Sequence, residues 1–353
     1  MGRFRFLAYD ITGTEFRAEV PFSEVKFGDV LNRPGSLDAS LPARATEATR
    51  DILDPGRTTL WVTDGTSLVW GGIVWAWRRE LGDNPMVRIA GQGIWSYYRE
   101  GRRTIREDLT FTATDQLSIA LLLLTKTHDI ANPLGLTVNL NPATSGINRT
   151  TAYKATERKP VGEAIEQLAE MVNGFDFNTT ATWDTGTIPP TPQVALDITY
   201  PATGMITEHV WAHGFDILLE PVEVDATKLA TTIDAIGGDN GAGAIATGTA
   251  TDTTGIYPYL EGTISVTDET NTTTLTSIAS GELAWRQAPP RTTTAQILDP
   301  ARWPLGSWNL GDQVWISCRD NGVDVDGYWR ITAWDCGIST NGIETITVTL
   351  AEV

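Results

Sequence analysis

The sequence lacks the features of secreted, disulfide-stabilised and membrane-spanning proteins. Its 353 residues include two cysteines, Cys318 and Cys336, too few for a disulfide framework, and we expect both to be reduced packing residues. The longest apolar run, residues 119–124, is far too short to span a bilayer. The first ten residues carry no signal-peptide core. We therefore expect a soluble chain made in the cytoplasm, with no membrane insertion.

Basic residues are also scarce. Lysine and arginine number 26 against 44 aspartates and glutamates, which gives a formal net charge of −18. A surface of this sign repels phosphate backbones at long range. The composition therefore argues against a protein dedicated to sequence-specific nucleic-acid binding.

Motifs for metals, cofactors or catalysis are absent or incomplete. His209 and His213 are four residues apart but lack the glutamate of a zinc-protease motif. Residues 320–327 are acidic, yet both ends of the calcium-loop pattern fail, so we expect a polar turn there. Residues 241–246 resemble a dinucleotide fingerprint but precede no helix. We expect no cofactor, no metal and no enzymatic activity, although the many carboxylates leave a glycosidase pair open.

Strand patterns dominate what is present. Residues 345–350 alternate threonine with Ile, Val or Leu, which is the period of a half-buried strand. Residues 58–70 contain two strand-like runs on either side of an Asp-Gly pair, as in a tight hairpin. Residues 237–248 are rich in glycine and residues 185–193 in proline, and we expect both segments to be loops.

Three segments have the period of a helix. Between residues 161 and 172 apolar side chains recur at positions that form one helical face. Pro160 suits the first position of that helix, and Gly174 suits the residue past its end. Further helices are predicted over residues 114–127 and 274–287.

The chain contains an internal repeat. The run Ile-Leu-Asp-Pro-Gly-Arg at residues 52–57 recurs as Ile-Leu-Asp-Pro-Ala-Arg at residues 297–302. Both copies continue with a Trp-bearing strand (from Leu60 or Val314), a turn rich in Asp and Gly, a second Trp-bearing strand (69–77 or 328–334) and a final strand (86–90 or 344–350). The shared order of elements indicates that one β-domain was duplicated.

We therefore predict a mainly β fold with an α+β insertion, in which two related β-barrel-like domains arise by internal duplication. The first barrel is assigned to residues 1–100, with 200–221 as a candidate completing segment. Residues 101–199 are assigned to the smaller α+β domain, and residues 222–353 to the second barrel. A trimer of such a chain would present six similar domains in a ring, which suits a six-fold partner.

Thirteen tryptophans are many for a chain of this length. Trp75, Trp77 and Trp285 are candidate anchors, either of a barrel core or of a subunit interface. Exposed tryptophan beside aspartate could instead stack on sugars, whereas buried or interfacial tryptophan is the commoner case.

One short basic cluster stands out in this acidic chain, formed by Arg99, Arg102, Arg103 and Arg106. A solvated loop would explain it. Contact with an acidic patch of a neighbouring subunit would explain it equally well. The sequence leaves both interpretations open.

The opening half contains three distinctive segments, at residues 31–41, 52–60 and 69–74. These segments resemble the opening of minor tail proteins of siphophages that infect actinobacteria. The latter half is similar to the tail-hub family at Tyr-Pro-Tyr-Leu-Glu (257–261), Leu-Gly-Asp (310–312) and Arg-Ile (330–331), and in the helix that carries Leu275 and Ala279. Residues 101–200 match least well.

The resemblance implies a homotrimeric tail-tip, or baseplate, hub in the virion. Its two barrels would form a pseudo-six-fold ring beneath the distal tail protein, with the inserted α+β domain below. The ring would surround the channel through which the tape-measure protein and then DNA leave, in contact with other minor tail proteins. Because the last strand reaches Val353, we expect any peptidase or fibre activity to belong to another protein.

Two other functions stay open. A β-module that binds host-surface glycans through exposed tryptophan would serve adsorption, and sugar-induced quenching of tryptophan fluorescence would favour it. A wall-degrading hydrolase is the third candidate, and turnover of purified cell wall would reveal it.

Overall fold

The computed structural model describes residues 3–220, 223–224, 226–239, 244–267, 269–288, 291–320 and 323–353. The strands are β1 (Arg5–Asp10), β2 (Phe16–Glu19), β3 (Glu24–Val30), β4 (Arg33–Pro42), β5 (Thr58–Thr63), β6 (Leu68–Arg79), β7 (Met86–Gly93), β8 (Leu109–Asp115), β9 (Thr137–Asn141), β10 (Asn148–Tyr153), β11 (Asp176–Asp184), β12 (Thr191–Thr199), β13 (Ile206–Ala212), β14 (Ile217–Leu219), β15 (Glu223–Val224), β16 (Thr232–Asp239), β17 (Ile245–Thr251), β18 (Glu261–Ser265), β19 (Arg291–Ile297), β20 (Gln313–Ser317), β21 (Arg319–Asp320), β22 (Val323–Asp324), β23 (Gly327–Ile338) and β24 (Glu344–Glu352). The helices are α1 (Gln116–Ile130), α2 (Val161–Glu170) and α3 (Thr272–Arg286), with 3-10 turns at Thr46–Ala48 and Ile94–Tyr98. The mainly β prediction is confirmed.

All three predicted helices form, with shifted ends. Asp115 caps α1 by accepting hydrogen bonds from the backbone N–H groups of the next turn, as an N-cap side chain does. Pro160 is the N-cap of α2 and not its first residue. Gly174 lies four residues past the end of α2, where a Cβ would come within 1.9 Å of the Ala169 carbonyl oxygen. This glycine therefore permits a close approach of backbone to backbone.

Most strands belong to one curled sheet. Its path runs β14-β19-β24-β23-β3-β4-β7-β6-β5-β1-β2, while β20 and β13 extend from β23, and β15 pairs with β19. We call β1–β7 the first half of this sheet and β13–β15, β19, β20, β23 and β24 the second half. The halves meet where β3 pairs antiparallel with β23, from Val25 opposite Ile338 to Val30 opposite Ala333.

The two halves share one strand order. The first runs β3-β4-β7-β6-β5-β1, and the second runs β14-β19-β24-β23-β20-β13. A β-bulge interrupts β6 between Val74 and Ala76, and another interrupts β23 between Ile331 and Ala333. One difference remains at the end of each series, because β1 runs antiparallel to β5 whereas β13 runs parallel to β20.

One hydrophobic core continues through both halves. It includes Phe27 on β3, Trp70 on β6 and Trp334 on β23. Phe27 meets Trp334 edge to face, with ring centroids 5.8 Å apart. Cys336 lies in the same core, and both cysteines are buried and free, as predicted.

Two α/β units are added to the sheet. The first unit contains β8–β12 with α1 and α2, and its core packs against outward side chains of β1, β5 and β6 such as Leu7, Trp61 and Ile73. The second unit packs α3 on the small sheet β17-β16-β18. Thr274 of α3 donates a hydrogen bond to the Thr150 carbonyl oxygen of β10, so the second unit contacts the first.

The predicted loop over residues 237–248 is wrong at both ends, because β16 and β17 extend into it; residues 240–243 lie outside the described residues. A Cβ at Gly238 would meet the Thr267 carbonyl oxygen at 2.4 Å, and a Cβ at Gly248 would meet the Thr276 amide nitrogen at 2.2 Å. These glycines permit tight packing between layers. A strand that is rich in glycine for this reason has the same local composition as a loop.

The segment around Cys318 also differs from expectation. A hairpin that turned at the polar residues 320–327 would place Cys318 opposite about residue 329, but Trp329 lies opposite Val314. The reason is that β20 ends at Ser317 and a short β21–β22 pair follows it. Of the predicted polar turn at 320–327, residues 321–322 lie outside the described residues.

Candidate assembly surfaces

The three candidate tryptophans lie in three different environments. Trp75 is half-buried, its Nε1 donates to Ser96 Oγ at 2.8 Å, and the Arg102 guanidinium lies 4.0 Å from its ring. Trp77 packs at the border of the main core, and its buried Nε1 has no hydrogen-bond partner among the described residues. Trp285 is 69% exposed on α3. Whether any of them anchors a subunit interface stays a prediction.

The arginine cluster is largely engaged within the chain. Arg99 Nε lies 2.9 Å from Glu166 Oε1, and Arg102 donates to the Ser96 carbonyl oxygen at 2.8 Å. Arg103 donates to the carbonyl oxygens of Thr127 and Ala131 at the end of α1. These contacts join the 3-10 turn after β7 to the first α/β unit.

Arg106 differs from the other three arginines. It is exposed, and no ion pair or hydrogen bond of its side chain occurs within the described residues. It borders a groove shared with Lys126 and Asp129 of α1. Of the four, Arg106 is the residue most available to a neighbouring subunit, and that role stays a prediction.

A buried carboxylate joins the first half of the sheet to the first α/β unit. Glu166 of α2 accepts a hydrogen bond from Trp95 Nε1 at 2.8 Å and lies 3.1 Å from the Arg33 guanidinium. Burial raises the pKa of the Glu166 carboxyl, while Trp95, Arg33 and Arg99 oppose that shift. Such a group fixes the orientation of its partners, because any misalignment leaves a buried charge unpaired.

A second buried carboxylate joins both halves and the first α/β unit. Asp176 of β11 accepts hydrogen bonds from Arg330 of β23 and from Asn32, in the turn between β3 and β4. The Thr203 amide also donates to it, at 2.9 Å. Arg330, from the Arg-Ile match at 330–331, thus has a structural role at this junction. Sequence reasoning missed Asp176 and Glu166, because their partners are distant in the chain.

The outward face of the second half carries an exposed apolar row. Val210 lies opposite Trp315, and Trp315 lies opposite Tyr328, so all three side chains share one face. Their exposed fractions are 52%, 36% and 39%. An exposed row of this kind on a sheet indicates a contact surface.

The equivalent row in the first half is covered. There Leu7 lies opposite Trp61, and Trp61 lies opposite Gly71. Leu7 and Trp61 are buried by the first α/β unit. The sequence already aligned Trp61 with Trp315 in the repeat, but nothing local distinguished the covered tryptophan from the exposed one.

The histidines do not converge. His209 Nε2 donates to the Ser307 carbonyl oxygen at 2.9 Å, and His213 Nδ1 accepts from the Leu219 amide at 3.1 Å. Among the described residues, no group of three or more His, Cys, Asp and Glu side chains could hold a metal ion. No helix in the described part of the chain is long and apolar enough to cross a membrane.

Known structures share this architecture over almost the whole chain. A tail protein from Neisseria meningitidis superposes with a TM-score of 0.63 at 15% identity, covering 99% of this chain and 96% of that one. The 43 kDa tail protein of prophage MuSo2 from Shewanella oneidensis gives a TM-score of 0.63 at 13% identity, with coverage of 99% and 96%. The fold is that of a phage tail protein.

The same tail-protein fold occurs in a secretion machine. A type VI secretion system component of E. coli, itself described as similar to tail proteins of bacteriophage T4, matches with a TM-score of 0.53 at 10% identity. That match covers 98% of this chain and 76% of the other. No protein-family model matches the sequence, and no curated protein is significantly similar to it. The resemblance to phage tail proteins is confirmed at the level of the fold.

Proposed function

We propose that this protein is a structural, non-enzymatic subunit of a phage virion, the hub at the tail tip. In this proposal it forms a homotrimer whose six half-sheets make a pseudo-six-fold ring around the DNA-exit channel. The observation that supports it most is the repeated strand order with matching bulges, since two similar units per chain are what a three-fold ring needs to meet a six-fold partner.

The domain division belongs to the same proposal. Residues 1–100 and 222–353 would supply the two ring units, and residues 101–199 the inserted domain. The segment 200–221, a candidate completion of the first barrel, supplies β13 and β14, which pair with β20 and β19, so it would belong to the second ring unit. The unit formed by β16–β18 and α3 is inserted in the sequence of the second ring unit and contacts the inserted domain. It adds a second α/β element to one side of the ring.

The proposed partners follow from this position. The ring would join the distal tail protein to the tip, contact the tape-measure protein and other minor tail proteins, and be assembled in the host cytoplasm. The net charge of −18 suits a conduit that DNA passes without binding. No sequence-specific contact with DNA is part of the proposal.

Electron microscopy of the purified chain tests the ring directly. Class averages viewed down the axis should show a closed ring with six similar lobes around a central opening. Single two-lobed particles at every concentration would contradict the proposal.

A second candidate function, glycan binding at the host surface, is favoured by one observation. The exposed rings of Trp315 and Tyr328 lie 5.1 Å apart at 90°, and a sugar ring can stack on such a surface. Cell-wall saccharides should then quench tryptophan fluorescence in the wild type and not in Trp315→Ala. Equal responses of the two proteins would exclude this site.

A further inference from the structure

The contact between the two halves of one chain has a defined chemistry. Along the β3–β23 pair, Phe27 packs on Trp334 on the core side. On the other side Lys26 Nζ lies 3.5 Å from Asp335 Oδ2. The joint therefore combines an aromatic contact with a partly exposed ion pair.

The internal repeat identifies the equivalent of β23 in the first half. The bulges align Ala76 with Ala333, so Trp77 corresponds to Trp334 and Arg78 to Asp335. The next positions on this edge align Leu81 with Ile338. The final stretch of β6 is thus the counterpart of the stretch of β23 that pairs with β3.

The equivalent of β3 lies in the second half. Val25 lies opposite Ala39 on β4, and Leu219 lies opposite Ala295 on β19. The residue after each of these is Lys26 in the first half and Glu220 in the second. Strand β14, with the residue that follows it, is the counterpart of β3.

Neither counterpart pairs with a further strand in the described part of a single chain, although His213 and Gly214 already contact the outer edge of β14 at Ile217. Beyond Ile73, β6 pairs only with β7 within the described part of the chain. Leu81 is 95% exposed, although its equivalent Ile338 packs against the main core. Arg78 and Glu220 are exposed, and neither side chain has an ion pair among the described residues.

We propose that the end of β6 in one copy docks against β14 of a second copy, repeating between chains the contact that β23 and β3 make within one chain. This inference rests on the trimeric ring proposed above and identifies the surfaces that close it. Arg78, the equivalent of Asp335, would face Glu220, the equivalent of Lys26. The signs of the two charges are exchanged, and the pair still attracts. Trp77 would lie at the joint as Trp334 does.

The contact is carried by side chains more than by a continuous backbone ladder. The Leu219 amide already donates to His213 Nδ1, and the Ile217 carbonyl oxygen accepts from the Gly214 amide at 2.8 Å, so two positions of the β14 edge are occupied. Glu80 also lies at this edge, but its charge is balanced by Arg88 at 2.6 Å. The alignment places Glu80 opposite Glu220, since Gly337 lies opposite Lys26, and Arg88 offsets the like charge of Glu80 there.

The joint also fits the closed ring proposed above. The two surfaces differ, so each copy offers one of each, and copies join head to tail. In that ring three joints between chains would alternate with the three β3–β23 joints within chains. Neither surface then remains open.

A charge-swap series tests the joint, with assembly measured by light scattering over a range of concentrations. Arg78→Glu and Glu220→Arg should each raise the subunit concentration at half-assembly by at least about tenfold, because like charges then face each other at three joints. The double variant R78E/E220R should restore wild-type assembly. A matched control is the swap of the exposed Lys154–Asp108 pair on the first α/β unit (K154D with D108K), which should leave assembly unchanged.

The outcomes separate this inference from the function on which it rests. Rescue by the double variant supports the joint even if a single variant is less stable. A trimeric wild type whose single variants assemble equally well contradicts the joint and leaves the ring standing. A wild type that remains monomeric contradicts the ring itself.

Discussion

At the scale of the residue, Asp29 shows how a partly buried position at the joint changes chemistry. Its carboxylate accepts a hydrogen bond from the Val30 amide at 3.0 Å, beside the pairing of β3 with β23. Burial raises the pKa of Asp29 to about 7, and hydrogen bonds from the Val30 and Gly35 amides oppose the shift without cancelling it. The neutral acid is therefore the form that suits the fold at mildly acidic pH.

This pKa predicts a pH-dependent stability that Asp29→Asn removes. Between about pH 4 and about pH 7 the folded state binds a proton that the unfolded state has lost, so rising pH lowers the free energy of unfolding of the wild type. The variant, neutral throughout, should gain stability relative to the wild type across that window, and the difference should be constant above it. Denaturant unfolding at several pH values measures this. The exposed Asp38→Asn on β4 is the control, and equal pH profiles for Asp29→Asn and wild type would refute the argument.

Residue patterns predict the environment of some side chains and not of others. The alternation at 345–350 correctly gave buried Ile346, Val348 and Leu350, because a half-buried strand is a local property. Trp61 and Trp315 have the same local pattern, yet one is buried and the other exposed. Their difference comes from the first α/β unit, which covers only one half of the sheet.

At the scale of the element, α1 depends on a distant arginine. Arg103 donates to the Thr127 and Ala131 carbonyl oxygens, which are among the unpaired acceptors at the end of that helix. A cation there also opposes the negative end of the helix dipole. The cluster that suggested an intermolecular contact thus contains at least one residue that stabilises its own chain.

Alanine variants distinguish these roles. Arg103→Ala should lower the free energy of unfolding by about 1–2 kcal/mol, since it removes a half-buried cap of α1. Arg106→Ala is the matched control and should change stability by less than about 0.5 kcal/mol, because its side chain is exposed. Thermal or denaturant melts provide the measurement, and equal effects of the two changes would contradict the assignment.

Elements were predictable where their signal is periodic. The apolar face of α2 identified that helix because Val161, Ala164, Ile165 and Leu168 all face the core of the first α/β unit. The strands β16 and β17 escaped prediction, because glycines that allow tight packing have the composition of a loop. Asp176 and Arg330 are 154 positions apart in the chain, so no local sequence pattern could predict their contact.

At the scale of the whole molecule, the repeat was the strongest sequence signal. The six-residue match and the order of strands after it led to the prediction of two related β units, and the sheet shows the same strand order in both halves. The pairing of β3 with β23 could not be predicted, because both strands use edges that the repeat alone does not assign. Those edges are what suggest how copies meet.

The solution mass of the purified chain tests the central claim most directly. Light scattering on a sizing column, at concentrations from low to assembly-like, gives that mass without a reference shape. The account predicts a species near three times 38.4 kDa, about 115 kDa, which persists on dilution. A species of 38.4 kDa at every concentration would contradict the trimeric ring.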